Sequence, residues 1–411
     1  MSNSSEPRRR HRLTRLGFHF LFVGAFAMLG GALRGFNLLL VLAGLLVGAL
    51  IMQWRWSRRT VEAINIKRRL PGEAFAGTSF RVRYRLLNQS RFIPVWMIRV
   101  EDVISSIDQT DSATALCGVG VISPRQTVVP YYDCVIGKRG KYHFGPLSLM
   151  TTFPFALFNS RQTTSEQSEF FVFPELLTLK DRWQQRLISR NDGVATTARR
   201  SGPSEGEFFG LREWQTGDSP KWIHWRTTAR LNEPAVRQFE QQRRFDLCLL
   251  VDAFQVSDED EDNVELAISL AATILVKLAN SPSNRVVVSV AGIEADAVIG
   301  GGSGEGKRRM LKTLAEVVAT EQPDLSEAAR RALAVVGQTQ DLIVISPRSL
   351  KEAKQRDPDF SDTIAPWMRR GSFKWIDVGR QIDQWTIRET VLALRPDSLA
   401  ADDLTLVSER T

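Results

Sequence analysis

LGFHFLFVGAFAMLGGAL (residues 16–33) and FNLLLVLAGLLVGALIM (residues 36–52) stand almost end to end, with only Arg34 and Gly35 between them. Each is as long as a bilayer-spanning helix, for which about 17–25 residues suffice. A turn this short forces a helical hairpin, so both ends of the pair lie on one side. Arg8, Arg9, Arg10, Arg12 and Arg15 precede the apolar block, and Arg55, Arg58, Arg59, Lys67, Arg68 and Arg69 follow it, against one arginine in the turn. That asymmetry places both flanks in the cytoplasm. Trp54 and Trp56 sit where interfacial aromatics belong, and Gly24, Gly30, Gly31, Gly44 and Gly48 permit close helix contact. A cleaved signal is disfavoured because a second apolar span follows at once. The expected anchor is thus two transmembrane helices, about 16–33 and 36–53, behind a basic N-terminus (residues 1–59). His19 reads as a helix-interface residue.

The 411 residues are too many for one ordinary core, and the net charge is +8. The basic residues crowd around the apolar block. This points to anionic lipid headgroups as the partner and away from nucleic acid. Cys117, Cys134 and Cys248 form no CxxC and have no histidine at metal spacing. Cys248 reads as a buried thiol, and Cys117 and Cys134 as possible sheet neighbours that stay reduced.

Residues 60–177 read as short strands and turns. In SFRVRYRLLN, Phe80, Val82, Tyr84 and Leu86 alternate with Arg81, Arg83 and Arg85, the pattern of a half-buried antiparallel strand. Further strand candidates are VWMIRVEDV, TVVPYYDCVIG, KYHFGPLSLMTT and EFFVFPEL. Together they predict an immunoglobulin-like β-sandwich. Residues 178–204 form a polar linker, helical at first and a loop from Asn191 to Pro203. Residues 205–244 are a dense motif segment. Over residues 245–395 apolar strands (FDLCLLVD, RVVVSVAG, DLIVIS, FKWIDVG) alternate with helices, predicted over Asn263–Asn280, Lys307–Thr320 and Ser326–Val336. That alternation predicts a mostly parallel α/β sheet. Residues 396–411 read as a polar tail.

The motif segment combines Gly210, Arg212, Gly217, Asp218, His224, Trp225, Arg226, Arg230 and Glu233, with Trp214 and Trp222 adding aromatic density. Arg212, Arg226 and Arg230 are candidates for bidentate pairing with Asp218, Glu213 or Glu233. The run Gly210-Leu211-Arg212-Glu213-Trp214, then Gly217-Asp218, Ile223-His224-Trp225, Ala229-Arg230 and Glu233-Pro234-Ala235-Val236-Arg237 resembles the signature of the domain of unknown function 58 family. The resemblance implies a bacterial inner-membrane protein with a sandwich and a C-terminal von Willebrand factor A-like domain. It also implies two protein partners, a MoxR-type AAA+ ATPase and a transglutaminase-like membrane protein. The signature itself reads first as packing between the domains and second as a docking surface.

An A-like domain that binds Mg²⁺ does so through Asp-x-Ser-x-Ser after its first strand. Here Asp252 is kept, but Phe254 and Val256 replace both serines, and Ile345-Ser346-Pro347 stands where a later aspartate is expected. Too few oxygen ligands are left for a hard divalent ion, so no metal and no cofactor are expected. Ser257–Asp262 reads as a solvated acidic turn. Gly301–Arg308 mimics a phosphate-binding loop, but Arg308 replaces the Mg²⁺-holding hydroxyl and the preceding strands read as a hairpin. The four histidines form no catalytic set with a nucleophile. The sequence therefore predicts a non-enzymatic scaffold or adaptor. The alternatives are a metal-dependent binding module and an uncharacterised enzyme around Asp218 and His224.

Overall fold

The computed structural model describes residues 8–107, 112–165, 167–187, 208–215, 220–231, 233–239, 246–257, 260–279, 284–293, 296–300, 304–336, 341–387 and 404–407. The chain starts with β1 (Arg8–Leu13) and then forms α1 (Arg15–Arg34) and α2 (Asn37–Ala63). Thr14 caps α1 by accepting from Gly17 N. Gly35 closes it in the left-handed region (φ 70°), which a residue without Cβ adopts at no steric cost. Both helices are long and apolar enough to cross a membrane. Sequence reasoning ends the second near residue 53, but α2 runs on to Ala63. The reason is a polar stripe at helical spacing: Gln53, Ser57 and Thr60 are buried against the following domain.

That domain is built from β2 (Ile64–Arg69), β3 (Phe80–Asn88), β4 (Val95–Ser106), β5 (Ser112–Ile122), β6 (Thr127–Val128), β7 (Tyr131–Ile136), β8 (Gly140–Thr151), β9 (Phe158–Thr164) and β10 (Ser168–Val172). One sheet has the order β1-β9-β8-β4-β5, with β10 on β8; the other has β7-β3-β2, with β6 on β3. Val82, Tyr84, Leu86 and Ile136 of one sheet share a core with Ile98, Val100, Phe144 and Leu149 of the other. The predicted alternation along β3 is met, with Phe80 to Leu86 buried at every second position. Within this core Arg68 Nη1 bonds Asp102 Oδ1 at 2.6 Å and Tyr84 donates to Asp102 Oδ2 at 2.8 Å. Cys117 lies on β5 and Cys134 on β7, so the two occupy different sheets rather than neighbouring strands.

Next come α3 (Trp183–Leu187), β11 (Phe208–Glu213), α4 (Trp225–Leu231) and β12 (Ala235–Phe239). The C-terminal unit comprises β13 (Asp246–Asp252), α5 (Glu261–Ala279), β14 (Arg285–Ala291), β15 (Asp296–Gly300), α6 (Gly304–Ala315), α7 (Leu325–Val336), β16 (Asp341–Ser346), α8 (Leu350–Arg356), α9 (Pro358–Arg369), β17 (Phe373–Asp377) and α10 (Val378–Trp385). Its sheet has the order β15-β14-β13-β16-β17. All pairings are parallel except β14–β15, the antiparallel hairpin that precedes α6. The helix expected to reach Thr320 stops at Ala315, because Thr320 N donates to Ala253 O and the segment runs extended beside the sheet. From the segment read as a polar tail, β18 (Leu404–Val407) pairs with β7. The expected loop over Asn191–Pro203 lies outside the described residues.

The sandwich and the α/β unit are joined by more than the chain. Phe173, Leu177 and Leu179 enter the α/β core, and Leu177 N donates to Thr273 Oγ1. Arg139, on the β7–β8 turn, donates to the carbonyls of Leu314 and Val317 at the C-terminal end of α6 and pairs with Glu265. Burial lowers the Arg139 pKa to about 10. Lys307, the lysine of the phosphate-loop mimic, pairs with Glu73 of the sandwich domain at 2.8 Å. Arg139→Ala uncaps α6, leaving the Leu314 and Val317 carbonyls without this donor, and removes the partner of Glu265. We expect a loss of about 3 kcal/mol in urea unfolding and faster proteolysis between the two units, with the sandwich's strand content retained by circular dichroism.

Candidate functional site

The carboxyl ends of parallel strands are where open α/β sheets present their functional groups. Here β13 and β16 lie side by side and end at Asp252 and Ser346. Asp252 is completely buried. Ser346 Oγ donates to Asp252 Oδ2 at 2.8 Å, and Arg348 donates through Nε to Oδ2 (2.9 Å) and through Nη2 to Oδ1 (3.4 Å). This is a fork-to-carboxylate pair, the geometry in which arginine binds most specifically. The rest of Arg348 is held as firmly: its N–H donates to Ser346 Oγ, its carbonyl accepts from Trp375 Nε1, and its guanidinium lies 3.9 Å from the Phe254 ring centre. Arg356 approaches the same ring at 4.5 Å. Burial pushes the Asp252 carboxyl pKa up, and Arg348 and Ser346 pull it back.

A divalent ion does not fit this arrangement. Both Asp252 oxygens already accept from arginine, Phe254 is buried as an apolar wall, and Val256 faces solvent. Among the described residues no group of three or more His, Cys, Asp or Glu side chains converges as a metal site. In the acidic turn, Asp260 Oδ2 accepts from the N–H groups of Val256 and Ser257, so it caps the turn that leads into α5. Burial pushes the Cys248 thiol pKa up to about 12, which removes it as a nucleophile near neutrality.

The motif segment forms a separate small structure. β11 and β12 make a two-stranded antiparallel ribbon, with Gly210 opposite Gln238 and Arg212 opposite Val236. Pro220–Trp222 forms one 3-10 turn and leads to α4. His224 sits at the start of α4, where Nδ1 faces Thr227 Oγ1 at 2.7 Å and accepts from Thr227 N. Its own N–H donates to Ala235 O, and Thr228 Oγ1 accepts from Ala235 N. His224 thus starts the short helix and ties it to β12. Trp225 is 67% exposed, and Trp214, Arg226, Arg230 and Glu233 are also exposed. Glu233 forms no ion pair with Arg226 or Arg230 among the described residues, so those two predicted pairings are corrected: the exposed side chains stand apart in water, where a pair gains little. Gly217 and Asp218 lie outside the described residues.

The signature and Asp252, read from the sequence as separate features, lie on separate elements. Among the described side chains, Trp214, Trp225, Arg226 and Arg230 are exposed, the last three on α4, while Asp252 belongs to a buried pair whose partner, Arg348, sequence reasoning missed. The available signal was the arginine following Ser346-Pro347, directly beyond a buried strand end.

Fold and motif together define a sheet-rich multidomain protein with two apolar helices near its N-terminus. Residues 210–358 match the family model described as protein of unknown function DUF58. An uncharacterized protein of Bacillus subtilis (strain 168), YeaD, is 22% identical over 202 residues, 49% of this chain and 50% of that protein. The chain thus spans about half the length of the curated relative it matches. Among solved structures, a β-glucosidase from Listeria innocua in complex with glucose is 15% identical over 26% of this chain and 15% of that one (TM-score 0.19). The sporulation control protein Spo0M of Bacillus subtilis is 10% identical over 30% and 53% (TM-score 0.17). The pilus adhesin RrgA of Streptococcus pneumoniae is 8% identical over 61% and 39% (TM-score 0.20). At these scores none bears on fold or function.

Arg348→Ala leaves a carboxylate buried without its cation, and we expect it to cost about 3–5 kcal/mol in urea unfolding followed by tryptophan fluorescence. The double variant Asp252→Asn/Arg348→Met, which removes both charges, is expected to lose less than the single one.

Proposed function

We propose that this chain is a non-enzymatic, membrane-anchored adaptor on the cytoplasmic face of the bacterial inner membrane. It works with a MoxR-type AAA+ ATPase and a transglutaminase-like membrane protein in assembling a cell-envelope or membrane complex. The observation that carries this reading is the Arg348–Asp252 pair: a protein side chain supplies the cation that a metal-dependent binding module would take from solution. The sheet order β15-β14-β13-β16-β17, with a single antiparallel edge, supports reading the C-terminal unit as von Willebrand factor A-like. The two packed antiparallel sheets support an immunoglobulin-like sandwich. Both ends of the helical hairpin continue into strands of that sandwich, which favours a two-pass topology with both flanks on one side, and the arginine-rich flanks favour the cytoplasmic side.

The docking surface in this reading is the signature segment, centred on α4. Exposed tryptophan beside arginine is the composition of an interface hot spot, and Trp225 with Arg226 provides it on α4. Affinity purification of the detergent-solubilised full chain, with mass spectrometry, tests the proposal. An AAA+ ATPase is expected to co-purify and to be weakened about 30-fold by Trp225→Ala/Arg226→Ala, a variant of exposed residues that leaves thermal unfolding unchanged. If no ATPase is enriched over an unrelated hairpin-anchored protein, the adaptor reading fails.

A further inference from the structure

We propose that the hairpin-proximal end of the sandwich is itself a membrane-contact surface, seated on the anionic headgroups of the bilayer that the hairpin crosses. This rests on the reading of the hairpin as membrane-spanning. The argument is one of level. α1 has 20 residues, and at 1.5 Å per residue it is about 30 Å long, the thickness of a hydrocarbon core. With the Gly35 turn at one boundary, Thr14 and Gly17 lie at the other. On α2 the apolar run ends at Gln53.

One loop of the sandwich, residues 152–157, is bonded to both of these levels. Thr14 Oγ1 donates to the carbonyls of Ala156 and Leu157. Gln53 Nε2 donates to Thr152 O, and Gln53 Oε1 accepts from Leu157 N. The loop is therefore fixed where hydrocarbon gives way to headgroups. Its Phe155 is 49% exposed, in a position that water alone would not favour. Beside it Phe153 stacks on Trp96 at 5.8 Å between ring centres, and the next residue, Met97, is 66% exposed. The β3–β4 loop opens at this same end, held to the end of β5 by Asn88, and carries Phe92, 81% exposed.

The charge on these loops is one-sided, and the neighbouring Glu62 is paired with Arg58 and Arg9. Residues 89–98, 121–126 and 151–157 contain no aspartate or glutamate, whereas Arg91 and Arg125 are exposed among them. Aromatic and aliphatic side chains ringed by arginine suit an anionic lipid interface, where rings lie at headgroup depth and guanidinium groups meet phosphates. A soluble protein partner would have to enter the headgroup layer to reach a loop pinned at this level.

The test is depth measurement by spin labelling on the full chain, in nanodiscs of phosphatidylethanolamine and phosphatidylglycerol. Cys117→Ser supplies the background, since Cys134 and Cys248 are buried. Labels are placed at Phe155→Cys and Met97→Cys, at Val41→Cys within the span, and at Ile107→Cys, exposed at the opposite end of the sandwich. Accessibility to oxygen over a water-soluble nickel chelate is expected to rank Val41 deepest, Phe155 and Met97 at the interface, and Ile107 in water. Replacing phosphatidylglycerol by phosphatidylcholine should make the two interfacial labels shallower. If Phe155 and Met97 read as aqueous as Ile107 while Val41 reads deep, the hairpin spans the bilayer but the seat is overturned. If Val41 itself reads aqueous, the membrane reading fails and the seat falls with it.

Discussion

Everything in this structure hangs on the way the apolar hairpin is sewn into the sandwich. Each end of the hairpin runs directly into a strand, β1 before α1 and β2 after α2, and the two strands belong to different sheets. The splice is sealed by buried polar groups that have no water to turn to. The Gln53 amide satisfies both its donor and its acceptor against the 152–158 backbone, and Ser57 Oγ accepts from Ser160. Left unpaired at zero exposure, such groups would each cost more than the bonds return, so register between helix and sheet is strongly specified. The close approach of Gly17 to Leu157 O is part of the same fit; a side chain there would meet backbone.

The same economy of buried polar groups continues outward. Inside the sandwich, Arg68 joins Asp102, the Phe144 carbonyl and Ser168, so a charge in the core is matched on several sides. At the far end Arg139 reads the open carbonyls of a helix from the neighbouring unit, where a cation also meets the negative end of the helix dipole. The sheet of the α/β unit then ends in another internal ion pair, Asp252 with Arg348. The three arginines do related work, each using several donors to bind groups that sequence-local structure leaves exposed.

Much of this was legible from the sequence because it depends on periodicity. The hairpin, the alternation along β3, the buried parallel strands and the β14–β15 hairpin all follow from where apolar residues recur. What escaped depends on pairing across distance. Nothing local in Arg8–Leu13 marks a strand: it is nearly all basic, and it becomes one only because β9 offers an open edge. The extension of α2 rests on Gln53 and Ser57, polar residues whose burial only the partner loop explains. Arg348 belongs to no motif: an arginine just beyond a strand end matches none of the aspartate and serine positions that mark a metal loop. The signature residues were found but not their geometry. The pairings expected of Arg226 and Arg230 with Glu233 are absent among the described residues, and all three side chains are exposed.

The pairing of β1 with β9 sets an order on how this molecule can form. His11 bonds Ser160 across 149 residues of chain, so β1 must wait for one of the last strands of the sandwich before it can pair. Contacts of such separation form late, after the loop-closure entropy of everything between has been met. In the interval the hairpin has been made and has no soluble surface to cover its apolar face. The two helices, whose contact with each other is local in sequence, therefore precede the sandwich, which closes onto helices that are already in place.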